Sequence, residues 1–387
     1  MLIINAKIVT MEDNIIIENG YLLSDNGKIA SFGDMKDKPN STAEVYDAKG
    51  KTLLPGLVDA HCHIGMWEDS IGFEGDDGNE DTDPSTPHLR AIDAVNPLDK
   101  SFEEALEAGI TTVITGPGSA NPIGGQFTAL KTYGNTVEDK LIQFPISVKT
   151  AFGENPKTVY HSKNATPVTR MATAAIIREQ FFKAQRYKND LEKAKNDEDF
   201  DEPEFDIKCE ACLPLLRKEI AIHAHAHRAD DMMTAIRIGE EFGIKTVIVH
   251  GTDGKLLAET LAKKNIEVLF GPALCERSKP ELKNLSFSTA GVLDKAGVKI
   301  AIISDHPAMP IQYLPVSAAL AVKEGMDYYN ALKAITIYPA EICGIANRVG
   351  SIAVGKDADF AIFDGNPLDV FTKCVLTVVN GKVVFEA

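Results

Sequence analysis

The sequence predicts an α/β fold: a (β/α)8 TIM-like barrel over residues 52–348, joined to a small composite β-sandwich built from residues 1–51 and 349–387. Two observations lead to this prediction. In the middle of the chain, short apolar strands alternate with helical stretches, which is typical of βα units and a parallel sheet. At both ends, short alternating strands are separated by turns such as Asn380-Gly381, which is typical of antiparallel structure.

Eight segments of the middle region are strand candidates, and the third has the weakest pattern. They are residues 54–60, 111–115, 126–132, 145–149, 220–225, 246–250, 267–271 and 299–305. Eight strands fit a barrel with insertions, and such a barrel places its chemistry at the carboxyl ends of its strands. Residues 173–195 have helical spacing and good helix formers, so we expect an extra helix in a long connection.

Two acidic loops, 68–83 and 196–206, interrupt this pattern. Both are interpreted as solvated surface loops because they are rich in carboxylates. The first loop directly follows a histidine pair, so a role as a lid is its alternative.

Net charge and cysteine content exclude several classes of protein. The 40 Lys and Arg residues against 56 Asp and Glu residues give a formal net charge of -16, which disfavours nucleic acid and membrane surfaces as partners. Six cysteines are too few for a disulfide framework in 387 residues. No apolar run reaches the roughly 20 residues of a membrane helix, and the first residues predict a strand instead of a signal peptide. We therefore expect a cytoplasmic protein. Formation of a homo-oligomer is left open by the sequence.

Four of the predicted barrel strands end in side chains that bind metals. These are His61 and His63 on strand one, His223, His225 and His227 on strand five, His250 on strand six and Asp305 on strand eight. The two-residue period of a strand aims alternate side chains at the same side. Imidazole together with carboxylate suits Zn, Mn, Fe, Co or Ni. The pattern predicts a catalytic centre with one or two divalent cations, zinc being the first choice.

Three segments resemble motifs of a known family. Residues 55–63, Pro-Gly-Leu-Val-Asp-Ala-His-Cys-His, resemble the opening motif of the amidohydrolase superfamily. Residues 304–307 resemble its eighth-strand aspartate segment, and 337–340 with 350–359 resemble its return into the β-domain. Within the superfamily, the imidazolonepropionase-like metal-dependent hydrolases are the most similar. The resemblance implies a barrel with a β-sandwich, metal ligands from strands one, four, five, six and eight, and hydrolysis of amide or other C–N bonds.

The resemblance also implies roles for individual residues. The implied metal ligands are His61, His63, His225, His250 and Asp305. The resemblance also implies that His227 contacts either the substrate or the metal ligands. His223 is a less favoured alternative to His225 as the metal ligand of strand five.

The fourth strand leaves three alternatives open. Lys149 stands where binuclear relatives carry a carboxylated lysine that bridges both ions, and burial beside cations lowers the pKa of a lysine in the direction this needs. Glu154 is the rival, because a glutamate can bridge two metals without modification. A centre with no bridge is the third alternative.

From these residues we expect a metal-activated hydroxide that attacks a carbonyl carbon of a small polar substrate. Asp305 would act as general base and then as general acid, and His227 would stabilise the oxyanion.

Substrate contacts rest on weaker signals. Gln126 follows paired glycines that let the backbone approach a ligand closely. Four cationic residues, Arg90, Arg170, Arg277 and Lys279, lie in loops near predicted strand ends, where they can hold a substrate carboxylate or form ordinary surface ion pairs.

The expected activity is hydrolysis of C–N bonds other than peptide bonds. An Xaa-Pro-type dipeptidase is the runner-up, because related binuclear members use the fourth-strand lysine. A deaminase is less favoured, since it is expected to carry a glutamate three residues after a fifth-strand histidine, and this chain has Ala226, Arg228 and Asp230 there. A catalytically inactive scaffold is disfavoured, because it is expected to lack several metal ligands and this chain has all of the expected ones.

Overall fold

The chain forms two β-sheets, one from its ends and one from its middle. The computed structural model describes residues 1–68 and 72–387, so part of the loop predicted at 68–83 lies outside the described residues. Within the described ranges, no helix is long and apolar enough to cross a membrane.

The first sheet combines strands from both ends of the chain. With all strands numbered in chain order, its members are β1 (Leu2–Val9), β2 (Ile16–Asp25), β3 (Lys28–Asp34), β4 (Val45–Asp47), β5 (Thr52–Pro55), β14 (Phe360–Phe363), β15 (Cys374–Val379) and β16 (Lys382–Glu386). They pair in the order β16-β15-β14-β5-β1-β2-β3, with β4 beside β1. Buried side chains such as Ile8, Leu22 and Phe360 give this sheet a core of its own. The predicted pairing of the two ends is confirmed, and it runs through one continuous sheet.

The second sheet is the barrel, and its strands are β6 (Leu57–Cys62), β7 (Ile110–Thr115), β8 (Ile123–Lys131), β9 (Leu141–Ala151), β10 (Ala221–Ala226), β11 (Thr246–His250), β12 (Glu267–Phe270) and β13 (Ile300–Ile302). They pair in chain order from β6 to β13. Two backbone hydrogen bonds bring the edges together beyond β13: Asp305 N–H donates to the His61 carbonyl at 3.1 Å, and His63 N–H donates to the His306 carbonyl at 2.8 Å. The predicted barrel is confirmed as a nearly closed one.

One barrel strand runs against the others. Strand β8 is antiparallel to both β7 and β9, whereas the sequence predicted a parallel sheet. The reason is the short link of residues 116–122 between β7 and β8, since a parallel crossover needs a dozen or more residues. The amino end of β8 therefore lies where the other strands have their carboxyl ends, and Gly125 is paired with Lys149.

Helices occupy most of the remaining connections. They are α1 (Ser101–Glu107), α2 (Val137–Lys140), α3 (Glu154–Ser162), α4 (Arg170–Asn196), α5 (Ile207–Leu216), α6 (Ala229–Phe242), α7 (Ala258–Lys263), α8 (Ser288–Lys295), α9 (Leu314–Lys323), α10 (Tyr328–Lys333) and α11 (Ile337–Ile342). The extra helix predicted at 173–195 is α4. It begins where the Thr169 side chain accepts a hydrogen bond from Ala172 N–H.

An ion-pair network connects the two sheets. Lys131, at the carboxyl end of β8, contacts Asp357 at 2.8 Å and also pairs with Asp359. Lys28 and Arg348 contact the same Asp357 at 2.5 and 2.8 Å. Because β8 is antiparallel, this network lies at the end of the barrel opposite to the carboxyl ends of the parallel strands.

Candidate metal centre

The alternation of side chains along β10 decides which histidines face the barrel interior. Ile222, Ala224 and Ala226 belong to the core between strands and helices. His223 and His225 alternate with them, so they face the opposite side, which is the barrel interior. In the neighbouring strand β9, Lys149 is paired with His223 and shares its direction.

Two clusters of metal-binding side chains meet at this end of the barrel. The first cluster is His61, His63 and Asp305, and the second cluster is His225, His227 and His250. Within each cluster the potential ligand atoms lie within 4.8 Å of one another. Each cluster combines residues that are distant in sequence, which the fold brings together as the strand-end pattern predicted.

Four of the histidines are held in place by a hydrogen bond at Nδ1. The partners are the Gly116 carbonyl for His63 at 2.7 Å, the Ser119 hydroxyl for His225 at 2.9 Å, the Thr252 hydroxyl for His227 at 2.8 Å and the Gly271 carbonyl for His250 at 2.6 Å. A carbonyl partner requires the proton on Nδ1, which leaves the Nε2 lone pair for a cation. His225 Nε2 has no hydrogen-bond partner among the described residues. This donor arrangement fits a divalent cation.

Burial determines the charge of these groups. It lowers the pKa of His61, His225 and His227 well below the usual histidine value, and that of His250 to about 4. The imidazoles are therefore neutral, which is the form that binds metals. Burial raises the pKa of Asp305, but the nearby His250 and His63 outweigh it and bring the pKa to about 2. Asp305 is therefore an anion beside neutral imidazoles.

Two residues of the clusters have unusual backbone conformations. His250 has φ 74° and Asp305 has φ 51°, both in the left-handed region that favours glycine. Each such residue costs about 1–3 kcal/mol, and such strain concentrates at functional sites. His250 is the last residue of β11 and Asp305 lies three residues after the end of β13, so both left-handed conformations occur where the chain leaves the barrel sheet.

Lys149 and Glu154 occupy different positions. Lys149 is fully buried, and its Nζ lies 2.9 Å from His61 Nε2. Burial lowers the pKa of Lys149 to about 7. Glu154 begins α3 and lines the cavity above the clusters. His223 is buried one layer deeper, with its ring centroid 5.9 Å from that of Phe127.

The clusters open into a cavity of about 930 Å³. Its wall includes Trp67, Glu68, Glu276 and Lys279. The Trp67 ring packs edge-on against His63, with centroids 4.6 Å apart. The described part of the loop predicted at 68–83 thus contributes directly to the cavity wall.

Sequence reasoning missed Glu281. It lies in the short turn Pro280–Leu282 after β12 and is 4% exposed. Its Oε1 is 3.8 Å from the Nε2 atoms of both His225 and His227. No strand end or motif marks it in the sequence, although Lys279, two residues earlier, is a predicted substrate contact.

Four of the five predicted substrate contacts are not among the residues that line the cavity. Arg90 stacks on the Phe144 ring, Gln126 donates to the Ala211 carbonyl at 3.5 Å, Arg170 pairs with Asp231 at 2.8 Å and Arg277 donates to the Leu285 carbonyl at 2.9 Å. Of the cationic residues singled out in the sequence, Lys279 lines the cavity. Substrate binding by Gln126 and the three arginines stays a prediction that these contacts do not support.

Comparison with known proteins gives matches over nearly the whole chain. A family model described as "Amidohydrolase family" matches residues 52–384. Amidohydrolase tasK of Hapsidospora irregularis is 28% identical over 96% of this chain, which spans 40% of that protein. Imidazolonepropionase of Fusobacterium nucleatum is 25% identical over 97% of this chain and 94% of its own length. Among solved structures, an amidohydrolase from Thermotoga maritima MSB8 is 42% identical with a TM-score of 0.96, covering 100% of both chains.

Proposed function

Because the chain belongs to the amidohydrolase family, we propose that it hydrolyses an amide or cyclic amide bond of a small polar molecule with the help of a divalent cation. One observation carries the proposal: two clusters of buried histidines, four of them held by a hydrogen bond at Nδ1, lie with an ionised aspartate beside one cavity. The resemblance to imidazolonepropionases over the full barrel supports C–N bond hydrolysis as the reaction class.

The residues that would hold the cations are those of the two clusters. When bound, a divalent cation supplies Lewis acidity toward a carbonyl and lowers the pKa of water. Asp305 is placed to move the proton: it is ionised, and its Oδ1 lies 3.3 Å from His63 Nε2 and 3.6 Å from His61 Nε2. It would accept a proton from the attacking water and deliver it to the leaving nitrogen.

The support for Asp305 extends below the site. The Asp59 carboxylate accepts hydrogen bonds from the backbone N–H of both His61 and Ser304 and from the Ser304 hydroxyl. Asp59 thereby connects the end of β6 to the segment that carries Asp305. This connection holds the two parts of the first cluster in one geometry.

Lys149 is the proposed bridging residue. Its amine contacts His61 directly. In the sheet, Lys149 is paired with His223 of β10, two residues before His225 of the second cluster. A neutral amine can add to CO2, forming an N–C bond and releasing a proton, which yields a carbamate with two oxygen ligands. The low pKa of Lys149 favours the neutral amine this addition needs.

The test is a substrate panel with metal-loaded and metal-free protein. The panel contains N-acyl amino acids, cyclic amides and aminopurines. Xaa-Pro dipeptides are included because Lys149 beside His61 also fits a dipeptidase. We expect metal-dependent release of an amine and a carboxylate from an amide or cyclic amide. Release of ammonia from an aminopurine alone would contradict amide hydrolysis, and cleavage of dipeptides alone would favour the dipeptidase.

A further inference from the structure

We infer that Glu281 completes a donor set with His225, His227 and His250 and thereby forms a second cation site of three imidazoles and one carboxylate. The inference rests on the proposed metal-dependent function. It concerns a residue outside the barrel strands, in the turn after β12.

The distances from Glu281 to two of the histidines, and those among the three histidines, fit one cation. Glu281 Oε1 is 3.8 Å from the Nε2 atoms of His225 and His227. The three histidines place their ligand atoms within 4.8 Å of one another. Four tetrahedral ligands with bonds of 2.0–2.2 Å stand about 3.4 Å apart, so the side chains are close to that spacing and need only small rotations.

Glu281 is held in this position by contacts on its other side. Its Oε2 accepts a hydrogen bond from Glu154 N–H at 3.1 Å. Its Oε1 has an ion-pair contact with Lys279 Nζ at 2.9 Å but no hydrogen bond among the described residues. A buried carboxylate is costly unless its oxygens are satisfied. Because Lys279 is partly exposed, it compensates Glu281 only in part, and a cation beside Oε1 would complete the compensation.

His225 and His227 present matching atoms to Glu281. His225 Nε2 is buried and has no hydrogen-bond partner among the described residues. His227 uses Nδ1 toward Thr252, so its Nε2 faces the carboxylate. Cation binding at this Nε2 replaces the oxyanion role suggested for His227 by its sequence position, because an Nε2 that binds a cation carries no proton.

The experiment measures metal binding apart from activity. Full-length protein is stripped with a chelator and titrated with Zn²⁺ in buffer containing bicarbonate and a competing chelator, and bound metal is counted by elemental analysis. Wild type is expected to bind two ions. Glu281→Gln is expected to keep the first ion and to bind the second about 10–100-fold more weakly. Glu276→Gln is the matched control, because Glu276 lines the same cavity from the same loop but is exposed.

The outcomes separate the inference from the proposed function. One ion in wild type, or equal second-ion affinity in wild type and Glu281→Gln, overturns the inference and leaves metal-dependent hydrolysis standing. Two ions with the expected Glu281→Gln effect, but no hydrolysis of any panel member, supports the inference and contradicts the proposed function. If Glu281→Gln does not fold, Glu281→Asp takes its place, and unchanged affinity for the second ion in that variant overturns the inference.

Discussion

Asp305 combines an ionised carboxylate, a strained backbone and contacts with two histidines. Asp305→Asn keeps the shape of the side chain and removes its capacity to take up a proton. We expect kcat to fall by about 10²–10⁴-fold, the usual contribution of general acid–base catalysis. The measurement is the turnover of a panel substrate at matched metal content. Wild-type turnover in a fully loaded variant would assign the proton transfer to another group.

Lys149 allows a test of the carbamate that is independent of substrate. We expect metal loading of stripped protein to depend on added bicarbonate, because CO2 is the source of the carbamate. Lys149→Met should weaken metal binding by about 10–100-fold and remove the bicarbonate dependence.

Lys140→Met is the matched control for Lys149. Lys140 is also a buried lysine whose pKa is lowered by burial, to about 8, but its amine donates to the Thr132 carbonyl. Its variant should keep the bicarbonate dependence. Complete loading of wild type in CO2-free buffer would exclude the carbamate.

The residues differ in how far sequence could predict them. The histidines were predictable because they are rare and lie at strand ends, where period-two alternation fixes their direction. Glu281 was not, because it is one of 56 acidic residues and its position depends on the path of a loop. The substrate contact predicted for Arg170 is not supported for a related reason. Its partner Asp231 lies on α6, and the sequence does not show that these two connections touch.

At the scale of elements, all eight predicted barrel strands exist, but the direction of one was not predicted. The apolar pattern that marks β8 reads the same in both directions, so it carries no information about orientation. The length of the link before it does carry this information, since residues 116–122 are too few for a parallel crossover. The reversal places the glycine pair of β8 beside Lys149, whose Cγ is 3.5 Å from where a Cβ on Gly124 would lie.

Substitution of Gly125 tests the close approach of β8 to Leu89. Its φ is 134°, and an added Cβ would lie 2.7 Å from the Leu89 carbonyl oxygen. Gly125→Ala should therefore lower the free energy of unfolding by about 3–5 kcal/mol through strain and overpacking. It should also reduce metal content, because a shift of the Gly125 backbone disturbs its sheet partner Lys149.

Gly297→Ala separates backbone strain from steric contact. Gly297 has φ 80° with nothing within 4 Å of an added Cβ. We expect a cost of about 1–2 kcal/mol and normal metal content. The free energy of unfolding is measured by denaturant titration, and metal content is measured by elemental analysis. Equal effects of the two variants would show that the approach to Leu89 is unimportant.

At the scale of the whole molecule, the two sheets meet through buried charge. Segment 350–359, recognised in the sequence as a family motif, supplies Asp357 and Asp359 to Lys131 of the barrel. The sequence marks segment 350–359 as a motif but does not identify Lys131 as the partner of its aspartates. This pairing depends on the antiparallel direction of β8, which was not predicted. The reversal that brings the β8 glycines beside Lys149 thus also places Lys131 at the opposite end of the barrel.

Asp357 allows a test of the network between the two sheets, because it contacts three cationic side chains. Burial raises its pKa, but Lys131, Lys28 and Arg348 outweigh this and lower it to about 2. Asp357→Asn leaves these cations without their shared anion, so we expect a loss of about 3–5 kcal/mol in the free energy of unfolding at pH 7. A folded pKa below the usual value of 3.8 means that the contribution is complete above about pH 4 and disappears as the pH falls toward 2. Denaturant titrations at pH 7 and 5 should therefore give the same difference from wild type, and metal content should not change.

The control is Asp93→Asn, which changes an exposed aspartate 4.0 Å from Arg90 and should cost under about 1 kcal/mol. A loss of metal from folded Asp357→Asn would show that the network also shapes the distant centre.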